Sequence, residues 1–313
     1  MPTLLTTLAH HVAHEYESAS VLVPFLEVDQ FRLLLDVLNS LCPNVRINEL
    51  HGAKSFVKFR VNLPWSPPGS GIADAKCELC DLSIIWFNRR SRKARITFFQ
   101  AKRSKVLHTP CRRWPLGVIE RFVGNSTQWD LLNRRPLITP THATFSPPTN
   151  LLSDALLTSV GSFGVFHRLP EGNVCLFYAA ADCIDCPPSY AKSEKSTLFL
   201  HAGSPLRNVF GLEECLWACC TGLFVENLLQ GNIGTPIDSL TAQGQLDTNH
   251  RRQIRLWLAA IINNAAGTAG ADGLSESISS FRNSILAEEI GAVPNENPQS
   301  ANLVFIDVTN ASE

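Results

Sequence analysis

Residues 79–102 read LCDLSIIWFNRRSRKARITFFQAK, and this stretch decides the fold. Two apolar runs, Leu79 to Phe87 and Arg95 to Ala101, flank a polar and strongly basic centre. Ile, Trp, Phe and Thr at this density predict two strands, and the charged stretch between them predicts the turn of a β-hairpin. The midpoint between Asp81 and Lys102 falls inside that turn, so antiparallel pairing sets Asp81 beside Gln100 and Lys102. Side chains alternate faces along a strand, so Gln100 and Lys102 point the same way. A carboxylate, an amide oxygen and an ammonium thereby converge on one face of an otherwise apolar hairpin.

Upstream, residues 3–19 predict a helix whose apolar stripe is Leu5, Leu8, Val12, Tyr16 and Ala19. Glu15 borders that stripe, where a carboxylate can reach across to a sheet. His10, His14 and Glu17 share a face that a metal could use, although a solvated polar face is the commoner outcome. A second helix runs from Val28 to Leu41, and strands are expected over Asn44–Leu50 and Ser55–Leu63. PWSPPGSG at Pro64–Gly71 admits no regular element. Downstream come a basic loop from Ser104 to Trp114 and a helix from Ser126 to Asn133. Strands are then expected at Phe163–Arg168, Val174–Ala181 and Thr197–Leu200. From Leu212 the pattern turns helical, over Leu212–Leu229, Arg251–Asn264 and Ser275–Ile290, before a final strand NLVFIDV that must pair with something upstream. The expected organisation is a domain over residues 1–205 and a mainly helical C-terminal region, 206–313, packed on it as a partner or oligomer surface.

The chain has 313 residues, 45% of them apolar and 18% charged, which is globular and not disordered. Its 27 Lys and Arg nearly balance 28 Asp and Glu, yet ten of the 27 lie between Asn88 and Arg113, where no acid occurs. A cationic patch on an acidic body suits a polyanionic ligand; the plainer reading is a solvated turn. Arg112 and Arg113 lie where they could grip phosphates, and Trp114 and Trp129 where they could stack on bases, although burial is the commoner fate of Trp. Met1 to Ala9 has no basic start and His10, His11, His14 and Glu15 interrupt the apolar run, so no signal peptide is expected. No apolar stretch reaches the ~18 residues of a membrane span. A cytoplasmic protein with reduced thiols is therefore expected. Of ten cysteines, Cys77-x-x-Cys80 and Cys183-x-x-Cys186 could form a zinc site, but they lie far apart in sequence and buried thiols are the default. Cys111 sits in the basic loop without a Cys/His signature, and neither G-x-S-x-G nor a Walker-type phosphate loop occurs.

Asp81, a gap of 18 residues and Gln100-Ala101-Lys102 at a strand end resemble the PD-(D/E)XK nuclease superfamily. The nearest branch is the one whose second motif is QxK, as in Mrr-like restriction endonucleases. The resemblance spans residues 1–140. It implies a restriction-endonuclease-like α/β core with a mixed central sheet flanked by helices, its active site on the second and third strands, beside an N-terminal helix that often carries a Glu. The implied activity is metal-dependent phosphodiester hydrolysis with Mg2+ (or Mn2+), by a DNA endonuclease serving as effector of a prokaryotic defence or restriction system. The implied catalytic residues are Asp81, Gln100, Lys102 and Glu15; the metal ligands are Asp81, Gln100 and Glu15, with Glu78 in reserve and the Ala101 carbonyl as a further oxygen. Arg89, Arg90, Arg92, Lys93, Arg103, Lys105, Arg112 and Arg113 become the candidate nucleic-acid-binding set. Double-stranded DNA, an activating or sensing protein and a second copy of the chain are the implied partners, with no membrane. Cys80 stands where the family's first motif has Pro, and Gln100 where its second usually has an acid. The latter removes a negative charge that Glu15 or Glu78 would have to supply. The other function class open to this sequence is a nucleic-acid-binding or scaffold subunit that does not cut.

Overall fold

The two apolar runs pair as antiparallel strands in the computed structural model, which describes residues 4–42, 44–52, 55–61, 74–104, 121–186, 195–201, 203–238, 248–269, 274–290 and 299–311. In chain order, helices α1 (Leu4–Ser20) and α2 (Glu27–Leu41) lead into β1 (Arg46–Leu50), β2 (Phe56–Arg60), β3 (Asp74–Glu78), β4 (Leu82–Asn88) and β5 (Lys93–Arg103). Next come β6 (Arg121–Asn125), α3 (Ser126–Arg134), β7 (Thr139–Pro140), β8 (Gly161–Arg168), β9 (Val174–Ala180), β10 (Ile184–Asp185) and β11 (Lys195–Leu200). The chain continues through β12 (Leu206–Val209), β13 (Leu212–Cys215), β14 (Trp217–Ala218), α4 (Thr221–Gln230) and β15 (Thr235–Pro236). It then forms α5 (Thr248–Ala269), α6 (Glu276–Ile285) and β16 (Leu303–Asp307).

The main sheet is mixed, in the order β1-β16-β4-β5-β8-β9-β14, with β15 also pairing β5. β4 and β5 are antiparallel, whereas β5 and β8 run parallel across a connection that carries α3. Both faces of this sheet are covered, which is why its central strands read as continuous apolar runs and not as alternation. On one face Ile85, Phe87, Ile96, Phe98, Phe163 and Val165 pack with Leu131 of α3, Ile254 and Leu258 of α5, and Phe281 of α6. On the other, Ile84, Trp86, Phe99, Ala101 and Tyr178 pack with Val12 and Tyr16 of α1, Phe31 and Leu34 of α2, and Phe224 of α4. The architecture is α/β, a mixed sheet between two helical layers, with six helices among the described residues. Phe99 is its tightest joint. It lies 4.9 Å from Phe31 by ring centroid, and a Cβ on Gly164 would meet its ring at 2.0 Å. Gly164 is opposite Ala101 in the β5–β8 ladder, so its missing side chain is what lets the Phe99 ring lie against β8.

The expected boundary at residue 205 is absent from this fold. β16 lies between β1 and β4, antiparallel to the first and parallel to the second, and β14 and β15 join the same sheet. The final strand does find an upstream partner, and in doing so it makes the C-terminal third part of the core. The helix expected over Leu212–Leu229 is also corrected. β12 and β13 form a hairpin whose two-residue turn, Phe210-Gly211, has both φ angles positive, at 52° and 80°. That turn type twists with the strands and closes them tightly. Glu214 gains its buried partners only on this extended backbone, and the helix begins at Thr221. Among the described residues, no helix is long and apolar enough to cross a membrane.

Candidate active site at the end of the β4–β5 hairpin

β5 has 11 residues and β4 has seven, so β5 outruns its neighbour. The ladder between them ends at Leu82↔Phe99, while Gln100 to Arg103 continue only against β8. This overhang leaves backbone groups facing an absent strand, and Asp81 takes up the next rungs. Its N–H donates to Phe99 O at 3.0 Å, and its Oδ2 accepts the Ala101 N–H at 2.7 Å. Lys102 Nζ donates to Gln100 Oε1 at 2.9 Å and lies 3.6 Å from Asp81 Oδ2. Gln100 Nε2 points back to Glu78 O at 3.5 Å. Asp81, Gln100 and Lys102 therefore meet as the hairpin register predicts. Gln100 is fully buried, whereas the Asp81 and Lys102 side chains are 26% and 16% exposed, so the cluster opens to solvent at its charged side.

A break in the strand aims Asp81 into this position. The sequence suggests one run from Leu79 to Phe87, but β3 stops at Glu78 and β4 starts at Leu82. Ser55 holds the break: its carbonyl accepts from Leu79 N–H at 2.8 Å and its hydroxyl donates to Cys80 O at 3.0 Å. Cys80 Sγ also lies 3.3 Å from Ser83 Oγ, and burial pushes this thiol up to about 12 despite hydrogen bonds from Ser83 and Ser55. Cys80, where the resembling family has Pro, is thus an inert packing residue. Ser55 carries no sequence signal for this role.

Other expected residues fall elsewhere. Glu15 is on α1, which packs on the face carrying Phe99 and Ala101, whereas Gln100 and Lys102 alternate onto the opposite face. Its carboxylate is half-exposed and lies 3.2 Å from His14 Nδ1. It does not complete the cluster. Glu78 closes β3 and meets Gln100 through its backbone carbonyl. At Ala101 the amide N–H donates to Asp81 Oδ2, and the carbonyl of the same residue leaves the strand on the same edge. Among the described residues no group of three or more His, Cys, Asp or Glu comes together to hold a metal, the two CxxC pairs included. What the cluster offers a cation is one carboxylate, whose Oδ1 makes no hydrogen bond among the described residues, and the Gln100 amide oxygen. Hard Mg2+ keeps most of its waters and accepts one or two protein oxygens, so this small oxygen set suits that ion and not a softer one.

The basic residues divide into two sets. Arg89, Arg90, Arg92 and Lys93 are exposed at the hairpin tip, fixed by Asn88 Oδ1 accepting from Ser91 N–H at 3.1 Å and by left-handed Arg92. That tip is the far end of seven-residue β4, roughly 20 Å from Asp81 at ~3.3 Å per residue. These four candidate nucleic-acid-binding residues are therefore remote from the cluster, a consequence already contained in the hairpin register. Arg103 is at the cluster's end of β5, and so is Arg168, the last residue of parallel β8. Sequence reading passed over Arg168, although a strand-helix-strand connection from β5 to β8 puts both carboxyl ends together. Lys105, Arg112, Arg113, Trp114 and Cys111 lie outside the described residues. Trp129 donates its indole N–H to Ile184 O at 2.7 Å, a packing role. Comparison with known protein families, curated proteins and solved structures finds no match.

Proposed function

We propose that this chain is a metal-dependent nuclease with a restriction-endonuclease-like core, cutting double-stranded DNA at Asp81, Gln100 and Lys102. The observation that carries the reading is Lys102 Nζ held between Gln100 Oε1 and Asp81 Oδ2, at 2.9 and 3.6 Å, on the overhanging end of β5. Asp81 and Gln100 are the residues that would hold Mg2+ (or Mn2+), which when bound activates water and neutralises phosphate charge. Lys102 supplies the fixed cation that orients a phosphate oxygen or the attacking water, and the Ala101 N–H keeps the Asp81 carboxylate from rotating away. Arg103 and Arg168, exposed at the same end, add phosphate grip without sequence reading. A single site of this kind cuts one strand, so a second copy would be needed for double-strand breaks, and a separate protein would sense the trigger in a defence or restriction system. Cytoplasmic residence goes with that reading, as do the free, mostly buried cysteines.

One observation favours the non-cutting alternative, a nucleic-acid-binding or scaffold subunit. Asp81 Oδ2 already has two partners, the Ala101 amide and Lys102, so the trio also makes sense as a strand-end clasp. Plasmid incubated with Mg2+, with and without EDTA, separates the two. Metal-dependent cleavage that falls roughly 100-fold or more in Asp81→Ala and Lys102→Ala supports the nuclease. Equal cleavage by wild type and both variants would sink the site.

A further inference from the structure

The turn between α1 and α2 reads Val21-Leu22-Val23-Pro24-Phe25-Leu26. Leu22 is 87% exposed, and Val21 and Leu26 are 55% and 49% exposed. Such exposure would be unremarkable in a loose loop, but this backbone is fastened. Fully buried Gln30 donates from Nε2 to Pro24 O at 3.1 Å and to Val23 O at 3.4 Å, while its Oε1 accepts the Tyr16 hydroxyl at 2.9 Å. Leu22 N–H returns to Ala19 O at 3.0 Å. An apolar tip is thus displayed on a fixed support, which costs little further ordering when it binds.

Two guanidinium groups lie against the same turn. Arg168 and Arg103 are 4.9 and 5.8 Å from the Phe25 ring centroid, and Arg103 Nη1 donates to Phe25 O at 2.8 Å. Neither has a carboxylate within ion-pair distance among the described residues. The nearby acids Glu27 and Asp29 sit in the first turn of α2, where they offset its dipole. Arg103 directly follows Lys102, so the turn and the Asp81 cluster straddle one end of the sheet from its two faces.

We propose that this turn is a DNA wedge: Leu22 enters a base step of a duplex while Arg103 and Arg168 hold neighbouring phosphates. Its location beside the cleavage centre rests on the nuclease reading; the binding chemistry does not. An apolar side chain inserted between bases costs the stacking of that step, and phosphate contacts with counterion release offset the cost. A fixed apolar tip with two guanidinium groups that no carboxylate among the described residues pairs matches a ligand whose interior is apolar and whose edges are anionic.

The test uses the full chain in EDTA with a short labelled duplex carrying 2-aminopurine, whose fluorescence rises on unstacking. Wild type should bind and raise the signal. Leu22→Ala should bind within roughly threefold yet leave the signal flat. Arg103→Gln with Arg168→Gln should weaken binding roughly tenfold and reduce the salt slope by about 2. Binding without a signal, variants that match wild type, or no duplex binding by a chain that sediments with phosphatidylserine vesicles would each overturn the wedge. Cleavage is read in parallel with Mg2+. Unstacking without cleavage keeps the wedge and favours the non-cutting subunit or an absent activating protein; cleavage with variants unchanged in binding and signal overturns the wedge and keeps the nuclease.

Discussion

Two of the carboxylates that sit beside a cation, Glu214 and Asp81, are finished to different degrees. Glu214 is fully buried. Its Oε1 accepts from Ser159 N–H at 2.7 Å and Thr158 Oγ1 at 3.1 Å, and its Oε2 accepts from Arg207 Nη2 at 2.6 Å and Nε at 3.1 Å. Arg207 Nη2 also reaches Thr158 Oγ1 at 2.8 Å, which closes the ring. Asp81 has an amide and a lysine on one oxygen, nothing on the other among the described residues, and 26% exposure. The closed arrangement is a strut that pins the β12–β13 hairpin to the turn at Thr158–Val160. The open one retains capacity for a ligand. Satisfaction of the carboxylate, more than the presence of an acid-base pair, separates structure from candidate chemistry.

That contrast can be broken by stability measurements. Glu214→Ala leaves Arg207 and two donors without their partner and should cost about 3–5 kcal/mol in urea unfolding. A loss under 1 kcal/mol would mean that the strut is ornamental. Gly164→Ala drives a Cβ into the Phe99 ring and should cost about 1–3 kcal/mol by the same measurement. Cleavage should fall with it, because Phe99 precedes Gln100. Asp81→Ala, which removes one backbone hydrogen bond and a partly exposed ion pair, should cost only about 1 kcal/mol. If Asp81→Ala unfolds as readily as Glu214→Ala, the two carboxylates are alike and the distinction fails.

The hairpin was legible because its apolar runs, its turn and the midpoint of the Asp81–Lys102 interval all agreed. The need of NLVFIDV for an upstream partner was also legible, but its place between β1 and β4 was not, since strand order depends on contacts far apart in the chain. Glu15 illustrates the same limit. Its position on the helical stripe could be read, whereas the face of the sheet on which α1 docks could not. At Leu212–Leu229 the helical periodicity belongs to α4, Thr221–Gln230, and the short strands β13 and β14 that precede it are too brief to show a period of their own. The Phe210-Gly211 turn was the overlooked signal.

The smallest predicted effect concerns the strand break before Asp81. Burial raises the Cys80 thiol to about 12, so at pH 8 it stays protonated in the folded chain. Iodoacetamide should modify it far more slowly than in urea; equal rates would show that the Ser55-held break opens freely.

Asp81→Asn tests the central claim most directly. The amide keeps the shape and an oxygen for the Ala101 N–H, while removing the charge that a cation would need. Unfolding free energy should stay within about 1 kcal/mol of wild type, and Mg2+-dependent DNA cleavage should be lost. A variant that folds as well and cuts as fast as wild type would contradict the account.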